Sequence, residues 1–199
     1  MDLRMLENEL YDDGLDGYIC GVDEAGRGPL AGPVCAAAVI LPRNIEIAGL
    51  NDSKKLSAKK RDALFDEIID KAISYGIAYA TEQEIDEINI LNATFLAMNR
   101  AISQLEPAPK LALVDGNTVK GIEFTAKNII GGDGKSASIA AASILAKVSR
   151  DRLMLEMAEK YPEYAFDKHK GYGTKAHYAA LREYGPSPIH RMTFLKKMH

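Results

Sequence analysis

Eight consecutive apolar residues, Val34-Cys35-Ala36-Ala37-Ala38-Val39-Ile40-Leu41, stand between Pro33 and Pro42. A run this short, β-branched near both ends and framed by prolines, reads as a strand. It lacks the alternation of a half-solvated strand, so both of its faces must be covered. With strands first and then mixed helices and strands along the rest of the chain, the layout is an α/β domain with a mixed sheet.

The rest of the chain supplies partners for that strand. Residues 18–23 read as a strand running into a Gly/Pro-rich turn, and 75–80 as another. Ser57 fits an N-cap for a helix through Leu64, Phe65, Ile68, Ile69 and Ala72. Residues 82–105 predict one helix, because Ile85, Ile88, Leu91, Phe95, Met98 and Ile102 recur every three or four positions. Residues 111–114 form a short strand ending at Asp115-Gly116-Asn117, and 122–130 a strand after the Gly121 turn. Gly131-Gly132-Asp133-Gly134 breaks the chain. A long helix over 136–160 follows, with Ala141, Ile144, Leu145, Val148 and Leu155 as its buried stripe. Its first half is dense in Ala and Ser, which lets another backbone or a ligand approach closely. Gly171-Tyr172-Gly173-Thr174, a short helix to about Tyr184 and Gly185-Pro186-Ser187-Pro188 complete the chain.

The chain has 199 residues, 47% hydrophobic and 27% charged. That composition excludes a disordered, collagenous or disulfide-framed protein. A chain of this length buries roughly 70% of its unfolded surface, enough for one core. We expect residues 1–160 to form the main domain and 161–199 a helical, basic segment packed on it as one structural unit. No apolar run reaches the ~20 residues needed to cross a bilayer. The first residues are mixed and charged, unlike a secretory signal. Cys20 and Cys35 sit in apolar runs and are expected as buried free thiols, consistent with a reducing, cytoplasmic setting.

Net charge is −3, yet residues 160–199 hold eight Lys/Arg against three acids, a net of +5, and the remainder carries −8. All four histidines lie in that tail. A basic end on an acidic body suits a polyanion bridging the two, although chance asymmetry of a solvated surface gives the same pattern. The cluster Lys54-Lys55-Leu56-Ser57-Ala58-Lys59-Lys60-Arg61 is equally open to either reading.

Three acidic sites are presented by strand ends or glycine turns: Asp23-Glu24, Asp115 and Asp133. Strand ends face the crevice where open α/β sheets bind ligands. An Asp before Gly also serves simply to make a turn, which accounts for Asp115 or Asp133 taken alone. Asp23-Glu24 is harder to dismiss, because adjacent strand side chains face opposite ways and burying both is unfavourable without partners. If the four acids converge, their repulsion raises at least one pKa. Oxygen-only donors relieve this with Mg²⁺ or Mn²⁺, and no Cys/His set has zinc spacing. Two such ions ~3.5–4 Å apart suit phosphodiester hydrolysis. Gly26-Arg27-Gly28 follows the acidic pair; glycines allow close backbone approach and Arg adds charge for a phosphate, but a bare Gly-x-Gly is a weak signal. Tyr172, held between glycines, suits stacking on a sugar or base, or packing on a neighbouring helix.

Residues 21–34, Gly-Val-Asp-Glu-Ala-Gly-Arg-Gly-Pro-Leu-Ala-Gly-Pro-Val, resemble the signature of ribonuclease HII, the type 2 ribonuclease H family. Further segments resemble it in the same order: Asn51-Asp52-Ser53-Lys54-Lys55-Leu56, Val114-Asp115-Gly116, Gly132-Asp133 with the stretch 138–151, and Gly171-Tyr172-Gly173-Thr174. The resemblance spans roughly residues 18–190 and implies a ribonuclease H-like fold, a five-stranded mixed sheet flanked by helices with a helical C-terminal appendage. It implies Mg²⁺- or Mn²⁺-dependent cleavage of RNA in RNA–DNA hybrids. Incision of duplex DNA 5′ to single embedded ribonucleotides is implied too, leaving 3′-hydroxyl and 5′-phosphate ends.

By residue match, Asp23, Glu24, Asp115 and Asp133 are the implied metal-binding catalytic acids. Gly26, Arg27 and Gly28 are implied to read the 2′-hydroxyl and adjacent phosphate, and Tyr172 to stack on the next deoxyribose. Lys54 and the basic tail are expected to hold phosphates, and Ser138 is a weaker candidate for the same task. Asp151 is expected in a surface or helix-pairing role, Asp52 in a turn, Ser136 as a helix cap, and His169 at most near a phosphate. A monomer is expected, and no Gln-x-x-Leu-x-x-aromatic-aromatic replication-clamp motif is visible. The competing readings are a ribonuclease HIII-like nuclease, disfavoured by Arg27 in the glycine motif, and a non-catalytic hybrid-binding protein, disfavoured by the intact set of acids.

Overall fold

A computed structural model describes residues 3–50 and 56–196. The chain runs α1 (Met5–Asp12), β1 (Ile19–Ala25), β2 (Val34–Ile40), α2 (Ala58–Lys71), β3 (Ser74–Ala80), α3 (Glu82–Ile102), β4 (Leu111–Asp115) and β5 (Ala126–Ile129). A 3₁₀ turn at Gly132–Gly134 leads into α4 (Ala137–Lys160), followed by α5 (Phe166–His169), α6 (Lys175–Tyr184) and α7 (Met192–Leu195). The five strands form one sheet in the order β3-β2-β1-β4-β5. β2 pairs antiparallel with β1 and β3, whereas β1–β4 and β4–β5 are parallel. This is the expected five-stranded mixed sheet with flanking helices and a helical C-terminal region.

The doubly covered strand is β2, where every residue is buried. Its even positions, Val34, Ala36, Ala38 and Ile40, pack with Ile85, Ala97, Met98 and Ile102 of α3. Its odd positions, Cys35, Ala37 and Val39, pack with Leu64 and Ile68 of α2 and Ala141 and Leu145 of α4. The same alternation sorts the central strands. Cys20, Val22, Ala112 and Val114 face α3, while Ile19 and Leu113 meet Ile139 of α4. Asp23 and Asp115 continue the second set, so the pleat sends both toward α4. At Gly21 the α4 backbone lies so close that a Cβ would stand 2.0 Å from the Ser138 carbonyl carbon. Only glycine permits that approach, and it seats the start of α4 against β1.

Several elements depart from the sequence reading. The helix expected over 82–105 is broken at Asn89 (φ 68°, ψ 163°). The Asn89 side chain accepts from the Leu91 and Asn92 N–H groups and so caps a second helical segment. Ile88 and Leu91, beside the break, leave the apolar stripe and are exposed. The strand expected over 122–130 is confined to Ala126–Ile129, because β4 pairs only along Ala112–Asp115. Ile122 turns back through its N–H to Val119. Leu155 is exposed and Met154 is buried instead. Met154 there meets Tyr164, Phe166 and Leu181 of the tail rather than the sheet. α1 had no counterpart in the sequence reading. Both cysteines are buried and free, and burial pushes each thiol up to about 12.

Candidate active site

The acidic pair closes β1. Asp23 is buried, and its carboxylate accepts the Glu24 N–H at 2.7 Å. Its pKa stands well above the ordinary range. Burial is the main cause, followed by the negative charges of Glu24 and Asp115; a hydrogen bond from Ser143 on α4 works the other way. Asp23, Glu24 and Asp115 thus share one electrostatic neighbourhood: the register Val22↔Val114 and the shared face bring Asp115 to Asp23, and Glu24 is its neighbour along the strand. Asp115 Oδ1 accepts the Gly132 N–H at 2.7 Å. That bond fastens the end of β4 to the 3₁₀ turn carrying Asp133, itself buried. Ser136 caps α4 immediately afterwards by accepting from the Ile139 N–H, as expected.

Among the described residues, no three His, Cys, Asp or Glu side chains stand close enough as placed to hold a metal ion. The four acids therefore share a region rather than a point. Repulsion among like charges, the Asp115 bond to Gly132 and the Arg27–Glu24 pair at 3.4 Å all oppose closer approach. The donor chemistry nonetheless fits a hard divalent cation. The donors are oxygens only, and a buried carboxylate is pressed by two further negative charges, which a cation would relieve.

Beside the acids, a cleft of about 340 Å³ is lined by Glu24, Gly26, Arg27, Gly28, Ser143 and Tyr172, together with Ala25 and Lys147. Larger hollows lie at 43–50 against Arg4 and at 85–90 against Phe194, so size alone does not mark the site. Tyr172 is 46% exposed. A Cβ at Gly28 would sit 3.6 Å from its ring, so the tyrosine and the glycine turn form two walls of one cleft. The Tyr172 carbonyl is held by His177 Nδ1 at 2.9 Å, and the Gly171 carbonyl by the Leu30 N–H at 2.8 Å.

Other expectations meet mixed outcomes. Lys54 and Asp52 lie outside the described residues. Ser138 is buried at the start of α4, where its N–H donates to Glu7 Oε1 at 3.0 Å. Its hydroxyl is not presented to the cleft, because α4 lies directly on β1 there. Asp151 pairs with Lys147 at 2.8 Å, the helix pairing expected of it. His169 is buried, its Nε2 against the Tyr164 carbonyl and its Nδ1 accepting from the Gly171 N–H, so neither nitrogen is left for a phosphate. The sequence reading missed Ser143 and Lys147. The signal was available: they are one turn apart on the small-residue helix that lies on Asp23's strand.

Comparisons with known proteins agree with this frame. The family model for Ribonuclease HII matches residues 20–197. Ribonuclease HII of Caldicellulosiruptor bescii is 56% identical over 193 residues, 97% of this chain and 93% of the relative. The ribonuclease H2 of Pyrococcus horikoshii superposes with a TM-score of 0.74 at 31% identity, covering 88% of this chain and 93% of that one. The ribonuclease HII of Archaeoglobus fulgidus, solved in complex with PCNA, gives 0.70 at 26%, with coverages of 88% and 94%. No described helix is long and apolar enough to cross a membrane. The chain belongs to the ribonuclease HII family, endoribonucleases that cut the RNA strand of RNA–DNA hybrids.

Proposed function

We propose that this enzyme also incises duplex DNA on the 5′ side of a single embedded ribonucleotide, by divalent-cation-assisted hydrolysis leaving 3′-hydroxyl and 5′-phosphate ends. The observation that carries the reading is a juxtaposition. The buried Asp23, pressed by Glu24 and Asp115, adjoins a cleft walled by the Gly26-Arg27-Gly28 turn and Tyr172. Asp23, Glu24, Asp115 and Asp133 would hold Mg²⁺ or Mn²⁺. Cations bound there would activate the attacking water and stabilise the leaving oxygen of the phosphodiester.

The chain's own residues do the rest. The glycine turn lets backbone donors approach a 2′-hydroxyl, the group that separates RNA from DNA at a given nucleotide. Arg27, half-exposed, supplies positive charge for the adjoining phosphate. Tyr172 stacks on the sugar that follows, so a ribonucleotide-to-deoxyribonucleotide junction is read from both sides. The basic C-terminal residues hold flanking phosphates, which makes binding weaken steeply with salt.

The test is a DNA duplex with one ribonucleotide, compared with a uniform RNA–DNA hybrid, in Mg²⁺. The wild type is expected to cut the single-ribonucleotide duplex 5′ to the ribose. Tyr172→Ala is expected to lose selectivity for that junction while keeping its melting temperature. Cutting only of uniform hybrids by the wild type would remove the junction reading.

A further inference from the structure

Two arginines packed against the glycine turn that follows Asp23-Glu24 are almost wholly enclosed: Arg150, 1% exposed, and Arg191, 0% exposed. Among the described residues neither forms an ion pair with a carboxylate. Their hydrogen bonds go to backbone carbonyls instead. Arg191 donates from Nη2 to Gly26 (2.6 Å), from Nη1 to Arg27 (2.9 Å) and from Nε to Gly32 (2.9 Å). Arg150 donates from Nε to Pro33 (3.0 Å), from Nη2 to Ala31 (3.1 Å) and from Nη1 to Lys170 (3.1 Å).

A cation without a carboxylate partner is expensive to bury, and burial pulls Arg191 down to about 9. Glu82 and Asp86 act on it from a distance only. Ordinary loop packing does not demand two such charges. What they do is geometric. Each guanidinium fans three donors in one plane, and together they draw the carbonyl oxygens of 26, 27, 31, 32 and 33 inward. Among the described residues, the N–H groups of Gly26, Arg27 and Gly28 donate to no protein acceptor. Gly26 adopts φ +93°, and a Cβ there would lie 1.9 Å from Arg150 Nε, so the turn is moulded onto the guanidinium. Through Lys170, Arg150 also reaches the residue before Gly171-Tyr172-Gly173.

We propose that Arg150 and Arg191 are positioning residues that hold the carbonyl oxygens of the 26–33 loop inward, so that the N–H groups of Gly26-Arg27-Gly28 face the substrate as ready donors at a fixed distance from Tyr172. The proposal rests on the reading of the glycine turn given above. It assigns the pair to ribonucleotide recognition, upstream of any chemistry at the acids.

Arg191→Lys and Arg150→Lys in the full chain test it, since lysine keeps the charge but gathers its donors on one nitrogen and lacks the planar fork that spans separate carbonyls. Three things are read: kcat and KM on the single-ribonucleotide duplex in Mg²⁺, binding of that duplex and its all-DNA counterpart in chelator, and amide exchange at Leu30 and Gly32. These two amides bond to Gly171 and Ile189. KM is expected to rise about tenfold with kcat within about threefold. The binding preference for the ribonucleotide should fall away with all-DNA affinity unchanged, and exchange protection should drop at Leu30 and Gly32 but persist in β1 and β2. Lost protection with an unchanged preference overturns the proposal and leaves the turn reading intact. Equal wild-type binding of the two duplexes removes the turn reading and the proposal with it. Global unfolding by both conservative substitutions makes the arginines purely structural and also overturns it.

Discussion

The Gly132 N–H donates to Asp115 Oδ1 at 2.7 Å, so the carboxylate that ends β4 also fixes the turn that carries Asp133. The bond spans 17 positions of the chain, and through it one acid places another. Asp115→Asn keeps an oxygen for that bond but loses the charge. We expect it to fold, melt near wild type and lose cleavage by at least about 100-fold, or ~2.7 kcal/mol of barrier. Asp115→Ala should lose stability as well, because a backbone donor is stranded. Steady-state rates on a hybrid, paired with thermal melts, separate the two effects.

Asp23 is held at a cost. Burial and two neighbouring negative charges disfavour its anion. Asp23→Asn removes the charge and retains an acceptor for the Glu24 N–H. In chelator the variant is therefore expected to melt higher than wild type, by about 2–4 °C for each kcal/mol relieved. Its cleavage activity should nonetheless be lost. A lower melting temperature would mean that the carboxylate is stabilised by contacts rather than strained.

Glu7 of α1 is buried and takes two donors at the start of α4, the Ser136 hydroxyl at 2.8 Å and the Ser138 N–H at 3.0 Å. Its charge also suits a helix N-terminus. Glu7→Ala strands both donors and should lower unfolding free energy by roughly 2–4 kcal/mol in urea. Glu7→Gln keeps an acceptor and is expected to lose about half as much.

The histidines of the tail make a chain of neutral rings. The Ser187 N–H donates to His190 Nδ1 at 2.8 Å, and His190 Nε2 meets His177 Nε2 at 2.9 Å. By this pattern the Nε2 proton belongs to His190, and His177 keeps its own on Nδ1 for the Tyr172 carbonyl. Burial and the neighbouring His177 pull His190 down to about 4. The unfolded chain protonates near 6.5, so between about 6.5 and 4 it binds more protons than the folded one. The stabilisation is complete above pH 6.5 and is lost as pH falls toward 4. His190→Asn keeps an acceptor for the Ser187 N–H without the titration, so its unfolding free energy should fall less between pH 7 and 5 than that of wild type. The comparison between variants matters, because Asp23, with its raised carboxyl, contributes a slope of opposite sign.

Much of this architecture was legible because it follows local rules. The fully apolar 34–41 run announced a doubly covered strand, and Ser57 caps α2 by accepting from the Lys60 N–H as its position suggested. Gly21 was not singled out, though it sets the α4–β1 contact that aims Asp23 at Ser143. The Asn89 break was missed because apolar spacing continues across it; the signal lay in a side chain that caps. Ser138 was read as a weak candidate for a phosphate contact, yet it is buried at the start of α4. Arg150, Arg191 and Glu7 were unreadable for another reason. Five of the six arginine carbonyls and both Glu7 donors, one a hydroxyl and one a backbone N–H, lie 117 or more positions away, and no spacing rule reaches that far.

We infer that Asp23, Glu24, Asp115 and Asp133 act together by holding divalent cations. Calorimetric titration of Mn²⁺ into the wild type and into the four single Asn or Gln variants, with hybrid cleavage followed in parallel, tests it most directly. Saturable binding by the wild type is expected, weakened in every variant in step with lost cleavage and abolished by chelator. Undiminished cutting in chelator, or identical Mn²⁺ binding by all five proteins, would contradict it.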